Sequence, residues 1–189
     1  MTDKNLIWVI AGLGNPGRKY ARTRHNVGFM VIEEVAERLG IAFTEKKAYR
    51  SGRGSLSGQD VLLIEPLLYM NLSGPVVKGV LRRSNSRPGN LIVVHDDLDM
   101  ETGKLRIRKT GSSGGHKGVE SIIQSISSKD FVRIKLGIGR EAGMPVENFV
   151  LSKFKRDELS VIKDAIRQAA DAVSLIITDG ADKAMNEYN

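Results

Sequence analysis

The chain contains no cysteine, so it can form no disulfide, no thiolate metal site and no cysteine nucleophile, and a cytoplasmic location is the expectation. No apolar run approaches the ~20 residues that a bilayer-spanning helix needs. The opening stretch, MTDKNLIWVI, lacks a basic head, a pure apolar core and a small-residue cleavage site, so no signal peptide is read there. Histidine is scarce: His25, His95 and His116 are the whole supply. There is no internal repeat, no low-complexity tract and no linker. These absences point to one well-cored domain over residues 1–189 that does not enter a membrane.

What is present is ordinary in bulk and uneven in charge. Hydrophobic residues make up 41% and charged residues 27% of 189, the composition of a globular protein. The formal net charge is +7, and residues 101–140 hold nine Lys/Arg against three Asp/Glu, whereas residues 141–189 hold six against nine. A basic centre beside an acidic C-terminal part suits a polyanion-binding face, although a solvated lysine-rich surface would look the same.

Strand and helix patterns alternate. LIWVIAGLG, DVLLIEP and NLIVVHDDLD read as buried strands. VGFMVIEEVAERLG places Val27, Met30, Val31, Val35 and Leu39 at helical spacing with Gly40 as a stop. GPVVKGVLRRS reads as a helix with Pro75 near its first turn. GVESIIQSI is a helix between the alternating strands GKLRIRKT and FVRIKLGIG, and RDELSVIKDAIRQAADAVSLII is a long amphipathic helix. The order predicts an α/β fold, a single domain around a twisted sheet flanked by helices. Polar clusters fall where strands run out: Asn15, then Tyr69-Met70-Asn71, then His95-Asp96-Asp97. Ligands of open α/β sheets bind beyond such strand ends.

Three motifs mislead. Gly12-Leu13-Gly14-Asn15-Pro16-Gly17 fits G-x-G-x-x-G, but the polar stretch RKYARTRHN follows it, whereas a dinucleotide site needs a helix there and an acidic residue about 20 positions on. These glycines are better suited to turning the backbone and presenting Asn15. GSSGG fits G-x-S-x-G, yet the only downstream histidine is His116, three residues past Ser113, so the serine has no distant base. HDDLD with His25 and His116 offers metal-ligand types, but without HExxH or another tight spacing, and no metal is expected. A histidine and a carboxylate remain, enough for general-base hydrolysis: the carboxylate fixes one ring nitrogen while the other takes a proton from water. The residues permit a His25–Asp96 pair but do not force it. On KLRIRK, Lys104, Arg106 and Arg108 share a face opposite Leu105 and Ile107; on FVRIKLGI, Arg133 and Lys135 alternate with Val132, Ile134 and Leu136. Two such strands would lay a cationic surface suited to successive phosphates.

GLGNPGRKYARTRHNVG, YMNLSG, VVHDDLD, GSSGGHKG and VRIKLGIGR stand here in the order and approximate spacing of the bacterial-type peptidyl-tRNA hydrolases, which the chain resembles from Leu6 to about Ala184. The resemblance implies hydrolysis of the ester between a peptide and the 3′ end of tRNA, a monomeric α/β domain with a twisted mixed β-sheet, and no cofactor. It implies His25 as catalytic base, Asp96 as its supporting carboxylate, Asn15 as the residue discriminating N-blocked substrates, and Asn71 as the amide orienting substrate and water, with Met70 beside it. Tyr20 and Tyr69 match aromatic tRNA-contact positions, and Arg106, Arg108 and Lys135 match phosphate-holding ones. His116 and Lys117 fall in the substrate-binding glycine-rich loop, where Lys117 replaces the family's usual asparagine and, as a donor only, loses an amide's acceptor. The resemblance also puts a mobile gate at EAGMPVENFV. A non-catalytic RNA-binding relative used in RNA processing is the alternative reading; a metal-dependent hydrolase and a nucleotide-binding oxidoreductase are more remote ones.

Overall fold

The computed structural model describes residues 6–189; the first five residues of the opening stretch read for a signal peptide, and of the predicted 1–189 domain, lie outside the described residues. β1 (Trp8–Gly12) is the centre of the molecule because it is apolar on both faces. It pairs in parallel with β4 (Gln59–Pro66) on one side and β5 (Leu91–Asp97) on the other. β7 (Val132–Gly137) joins β5 in parallel, and β6 (Leu105–Arg108) closes that side antiparallel to β7. On the far side β3 (Tyr49–Leu56) and the short β2 (Thr44–Glu45) add antiparallel strands, giving the order β2-β3-β4-β1-β5-β7-β6.

Strand periodicity splits the core in two. Along β1 and β5, Ile10, Ile92 and Val94 point to one face, while Val9, Ala11, Leu91 and Val93 point to the other. The first face is covered by α1 (Val27–Leu39) and α5 (Leu159–Asp179), the second by α2 (Ser73–Arg83) and α3 (Lys117–Ile126). α1 ends at Gly40, whose left-handed φ of 62° lets its N–H reach back to Ala36 and Glu37. α5 buries Ala165, Ala169, Ala170 and Ala172 with Val173 and Ile176, small residues that bring it close to the sheet. α4 (Val146–Val150) and α6 (Ala181–Tyr188) complete the fold.

The G-x-G-x-x-G stretch is used for close packing and for one turn. A side chain at Gly12 would collide with the Gly28 carbonyl, and one at Gly28 with Leu13 and the Val94 carbonyl, so the two glycines let α1 lie directly on β1. Gly17, at φ 99°, is the one in this stretch that requires a left-handed backbone. β2, β3, α4 and α6 go beyond the sequence reading. β3 reads YRSGRGSL, too glycine- and arginine-rich to show strand alternation, and it holds Arg50 against buried Glu65 of β4 and exposed Glu33 of α1.

Candidate active site

The carboxyl ends of β1, β4 and β5 open into a cleft of about 740 Å³, closed on its other sides by the start of α3 and by α4. Loop positions are fixed by asparagines. Asn15 N–H donates to Asn26 Oδ1 and Asn26 Nδ2 donates back to the Asn15 carbonyl, both at 2.9 Å. Asn15 Oδ1 accepts the Met70 N–H, also at 2.9 Å. The loop after β1, the turn Arg24–Asn26 before α1, and the turn Met70–Leu72 after β4 are thereby held in one register. Because Asn15 Oδ1 faces an N–H, the network assigns its Nδ2 as the group left for the cleft.

Asp96, near the end of β5, is 3% exposed and sits between two imidazoles. His25 Nδ1 lies 2.9 and 3.0 Å from its two oxygens, and His116 Nε2 lies 2.9 Å from Oδ1. Burial alone would raise the Asp96 carboxyl; the electrostatic attraction of the His116 and His25 imidazoles and their N–H bonds outweigh it and hold the group well below the usual carboxylate range. It is an anion with two donors.

The three histidines are not equivalent. His116 Nδ1 accepts the Gly118 and Val119 N–H groups at 3.2 and 3.3 Å, capping α3. Its proton must therefore be on Nε2, donated to Asp96, and both nitrogens are occupied. His95 donates Nδ1–H to the Asp96 carbonyl at 2.8 Å and is buried; burial, then the neighbouring His116, push it down to about 3. Its Nε2 is shut off from solvent and has no hydrogen-bond partner among the described residues. His25 alone, 13% exposed at its side chain, keeps a ring nitrogen free of hydrogen bonds to the described residues while lining the cleft. Donation of Nδ1–H to Asp96 leaves the His25 Nε2 lone pair as the acceptor.

Ligand atoms of His25, Asp96 and His116 lie within 4.8 Å of one another, close enough to suggest a metal. Binding one there would require His116 Nε2 to give up its proton while Nδ1 still faces two N–H donors. The donor set fits a hydrogen-bonded triad better than a cation site. A second cleft of about 710 Å³ lies at the β6 edge, between Lys104, Arg106 and Val161; no imidazole lines it.

The other predicted residues fall in three places. Asn71, Tyr69, Met70, His116 and Lys117 line the cleft, with Met70 buried and the Tyr69 ring 63% exposed at its mouth. Lys117 reaches Glu147 of α4 at 3.4 Å, an exposed pair spanning the mouth. Tyr20 lies outside the cleft lining, in the loop Gly17–Thr23, with Lys19 Nζ 5.4 Å from its ring centre. On the basic strands, the antiparallel register sets Arg106 opposite Lys135 and Arg108 opposite Arg133. Arg106 is exposed and Arg108 half-buried. One expectation about the second strand needs correcting. Arg133 is 1% exposed, stacked 4.1 Å from Phe131 and bonded to the Gly111 and Lys129 carbonyls, so it is not on the surface. Lys135 is half-buried and paired with Asp97 at 2.9 Å, which neutralises much of its charge. The site also uses residues the sequence did not single out. Asn26 carries no periodic signal. Leu151 follows the five-residue helix α4, whose Val146 and Val150, both within the stretch that the resemblance assigned to a gate, complete the apolar wall with it.

A family model described as peptidyl-tRNA hydrolase matches residues 9–189. A peptidyl-tRNA hydrolase from Thermodesulfovibrio yellowstonii is 51% identical over 183 residues, covering 96% of this chain and 98% of the relative. One from Alkaliphilus metalliredigens is 43% identical, covering 97% and 100%. The crystal structure of peptidyl-tRNA hydrolase from Acinetobacter baumannii superposes with a TM-score of 0.93 at 36% identity, covering 100% of this chain and 97% of that one.

Proposed function

This chain belongs to the peptidyl-tRNA hydrolase family, and from that premise we propose that it hydrolyses the ester joining a peptide, or an N-blocked amino acid, to the 3′-terminal ribose of tRNA. It is a hydrolase, and residues 1–189 act as one catalytic domain. His25 Nε2 takes a proton from water, and the resulting hydroxide attacks the ester carbonyl carbon without a covalent intermediate. The tetrahedral oxyanion is met by amide N–H groups of Asn15 and Asn71. Collapse breaks the carbonyl carbon–ribose oxygen bond, and the His25 imidazolium returns its proton to that oxygen, giving free tRNA and a peptide carboxylic acid that loses its own proton to solvent.

The observation that carries this reading is the one imidazole nitrogen of the cleft that stays free of hydrogen bonds to the described residues, on a ring whose other nitrogen is held by a buried anion. Asp96 offsets the charge that His25 gains as water loses its proton. General-base assistance contributes ~10²–10⁴ in rate, and one oxyanion donor ~10²–10³; an acyl ester, already activated, needs little beyond these and positioning. Arg106 and Arg108 hold tRNA phosphates, with Lys135 contributing as it exchanges Asp97 for phosphate, and Tyr20 and Tyr69 offer rings to the acceptor end. Lys117 serves as a further cation for the tRNA end rather than as the amide usual in the family.

The product chemistry returns tRNA from prematurely released peptidyl-tRNA to translation, in the cytoplasm and as a monomer. No helix among the described residues is long and apolar enough to cross a membrane. A non-catalytic RNA-binding relative would have no use for an oriented, unoccupied imidazole, and that alternative is not favoured. Release of the amino acid from N-acetylated aminoacyl-tRNA, measured beside the unblocked counterpart, tests the reading. Rapid release from the blocked ester and slow release from the free amine are expected; equal rates, or none, would overturn it.

A further inference from the structure

The residue beside the base is a buried cation that makes no contact with the cleft. Arg24 is 1% exposed. Its guanidinium forks onto Glu158, Nη1 to Oε1 at 2.9 Å and Nη2 to Oε2 at 2.7 Å, while Nε donates to Ser152 Oγ at 3.2 Å. The plane lies 4.4 Å from the Phe149 ring centre and 4.9 Å from that of Phe154. Its backbone N–H donates to the Ser152 carbonyl at 2.9 Å, and Thr23 bridges Lys153. The turn carrying His25 is thus clamped, by backbone and side chain together, onto residues 149–158.

That segment begins in the cleft wall. Val146, Glu147 and Val150 of α4, with Leu151, line the cavity, whereas Phe149 of the same short helix turns inward onto Arg24. One helix therefore touches the cleft on one side and the arginine next to the base on the other. α4 is short and carries no side-chain cap, so its seat depends on such contacts rather than on its own helix stability.

We propose that Arg24 is a positioning residue: it couples the seat of the α4 wall to the orientation of the His25 imidazole, so that the peptide side of the cleft and the base are set as one unit. This rests on His25 being the base. The coupling requires guanidinium shape as well as charge, since five N–H donors in a plane serve a carboxylate fork, a hydroxyl and two flanking rings at once, which one ammonium cannot. Glu158 completes the clamp. Its carboxyl, which burial would raise, is held below the ordinary value chiefly by its hydrogen bonds to Arg24 and to the Lys155 N–H.

Arg24→Lys and Glu158→Gln test it, each beside the wild type and His25→Ala, with activities scaled to the folded fraction from a melting curve. Steady-state hydrolysis of N-acetylated aminoacyl-tRNA gives kcat and KM, and proton NMR follows the downfield His25 Nδ1–H. In the variant that folds, kcat should fall ~10-fold or more, the cost of a base displaced by a fraction of an ångström to an ångström. KM should stay within about two-fold of wild type by the same argument, and the Nδ1–H signal should broaden or shift. Glu158→Gln keeps two of the carboxylate's contacts and should lose less than Arg24→Lys. An unchanged kcat and unchanged Nδ1–H signal in a folded variant would overturn the coupling, as would a rise in KM with kcat intact. If the Arg24 variant behaves as wild type while His25→Ala is dead, the coupling alone fails; if His25→Ala keeps its turnover, the functional reading fails with it.

Discussion

Replacing Asp96 by asparagine removes one charge and changes little in volume. In the native site both imidazole N–H groups converge on Oδ1, and His25 also spans Oδ2 at 3.0 Å. An asparagine can keep one acceptor there, but its NH₂ group then faces the His25 Nδ1–H, two donors against each other. The ring must tilt away or move its proton to Nε2, which leaves no base. The charge matters as well. With centres roughly 4 Å apart and an effective dielectric of about 20, the attraction between carboxylate and imidazolium is about 4 kcal/mol, a factor of about 10³ in rate. The combined expectation is a fall in kcat of ~10³–10⁴, comparable with loss of the carboxylate in a Ser-His-Asp triad. Steady-state hydrolysis of N-acetylated aminoacyl-tRNA, with tRNA affinity measured separately by fluorescence titration, checks it. Affinity should hardly move, because Asp96 is buried. Turnover within about three-fold of wild type, or a loss carried by affinity, would refute the role given to Asp96.

Arg108→Ala should weaken tRNA binding and reduce the slope of log affinity against log salt by about 0.7–0.9, one phosphate contact; an unchanged slope removes Arg108 from the interface. Lys135→Ala should change the slope less, because Lys135 already holds Asp97. Away from the cleft, burial pushes the Glu65 carboxyl from 4.5 up to about 7, with the Arg50 hydrogen bond offsetting only part. The folded state then binds a proton more tightly than the unfolded one, so stability is fully present below about pH 4.5 and declines up to about pH 7, by about 3 kcal/mol at most. Glu65→Gln should flatten that decline in melting temperature, and a slope unchanged in the variant would refute the assignment.

The parallel centre of the sheet was legible because β1, β4 and β5 are buried on both faces and read as unbroken apolar runs. β3 was not, since Gly52 and Gly54 interrupt the alternation that a one-sided strand would show. Arg133 shows the limit of alternation from the other side. Its position on β7 is cationic by pattern, yet β7 lies inside the sheet and its second face is roofed by the loop at Gly111. His25 and Asp96 could be named from residue type and strand-end position, but they are 71 residues apart, and only the adjacency of β1 and β5 brings them together. The division of labour among the histidines was not in the sequence at all. It follows from which ring nitrogens find backbone partners, and that depends on where α3 begins and how deeply β5 is buried.

The central claim is that one imidazole performs the proton transfer while other surfaces hold the RNA. Turnover and tRNA affinity measured together on His25→Ala test it most directly. Turnover should fall at least ~10²-fold with affinity retained; an enzyme that still hydrolyses blocked aminoacyl-tRNA at near the native rate would contradict it.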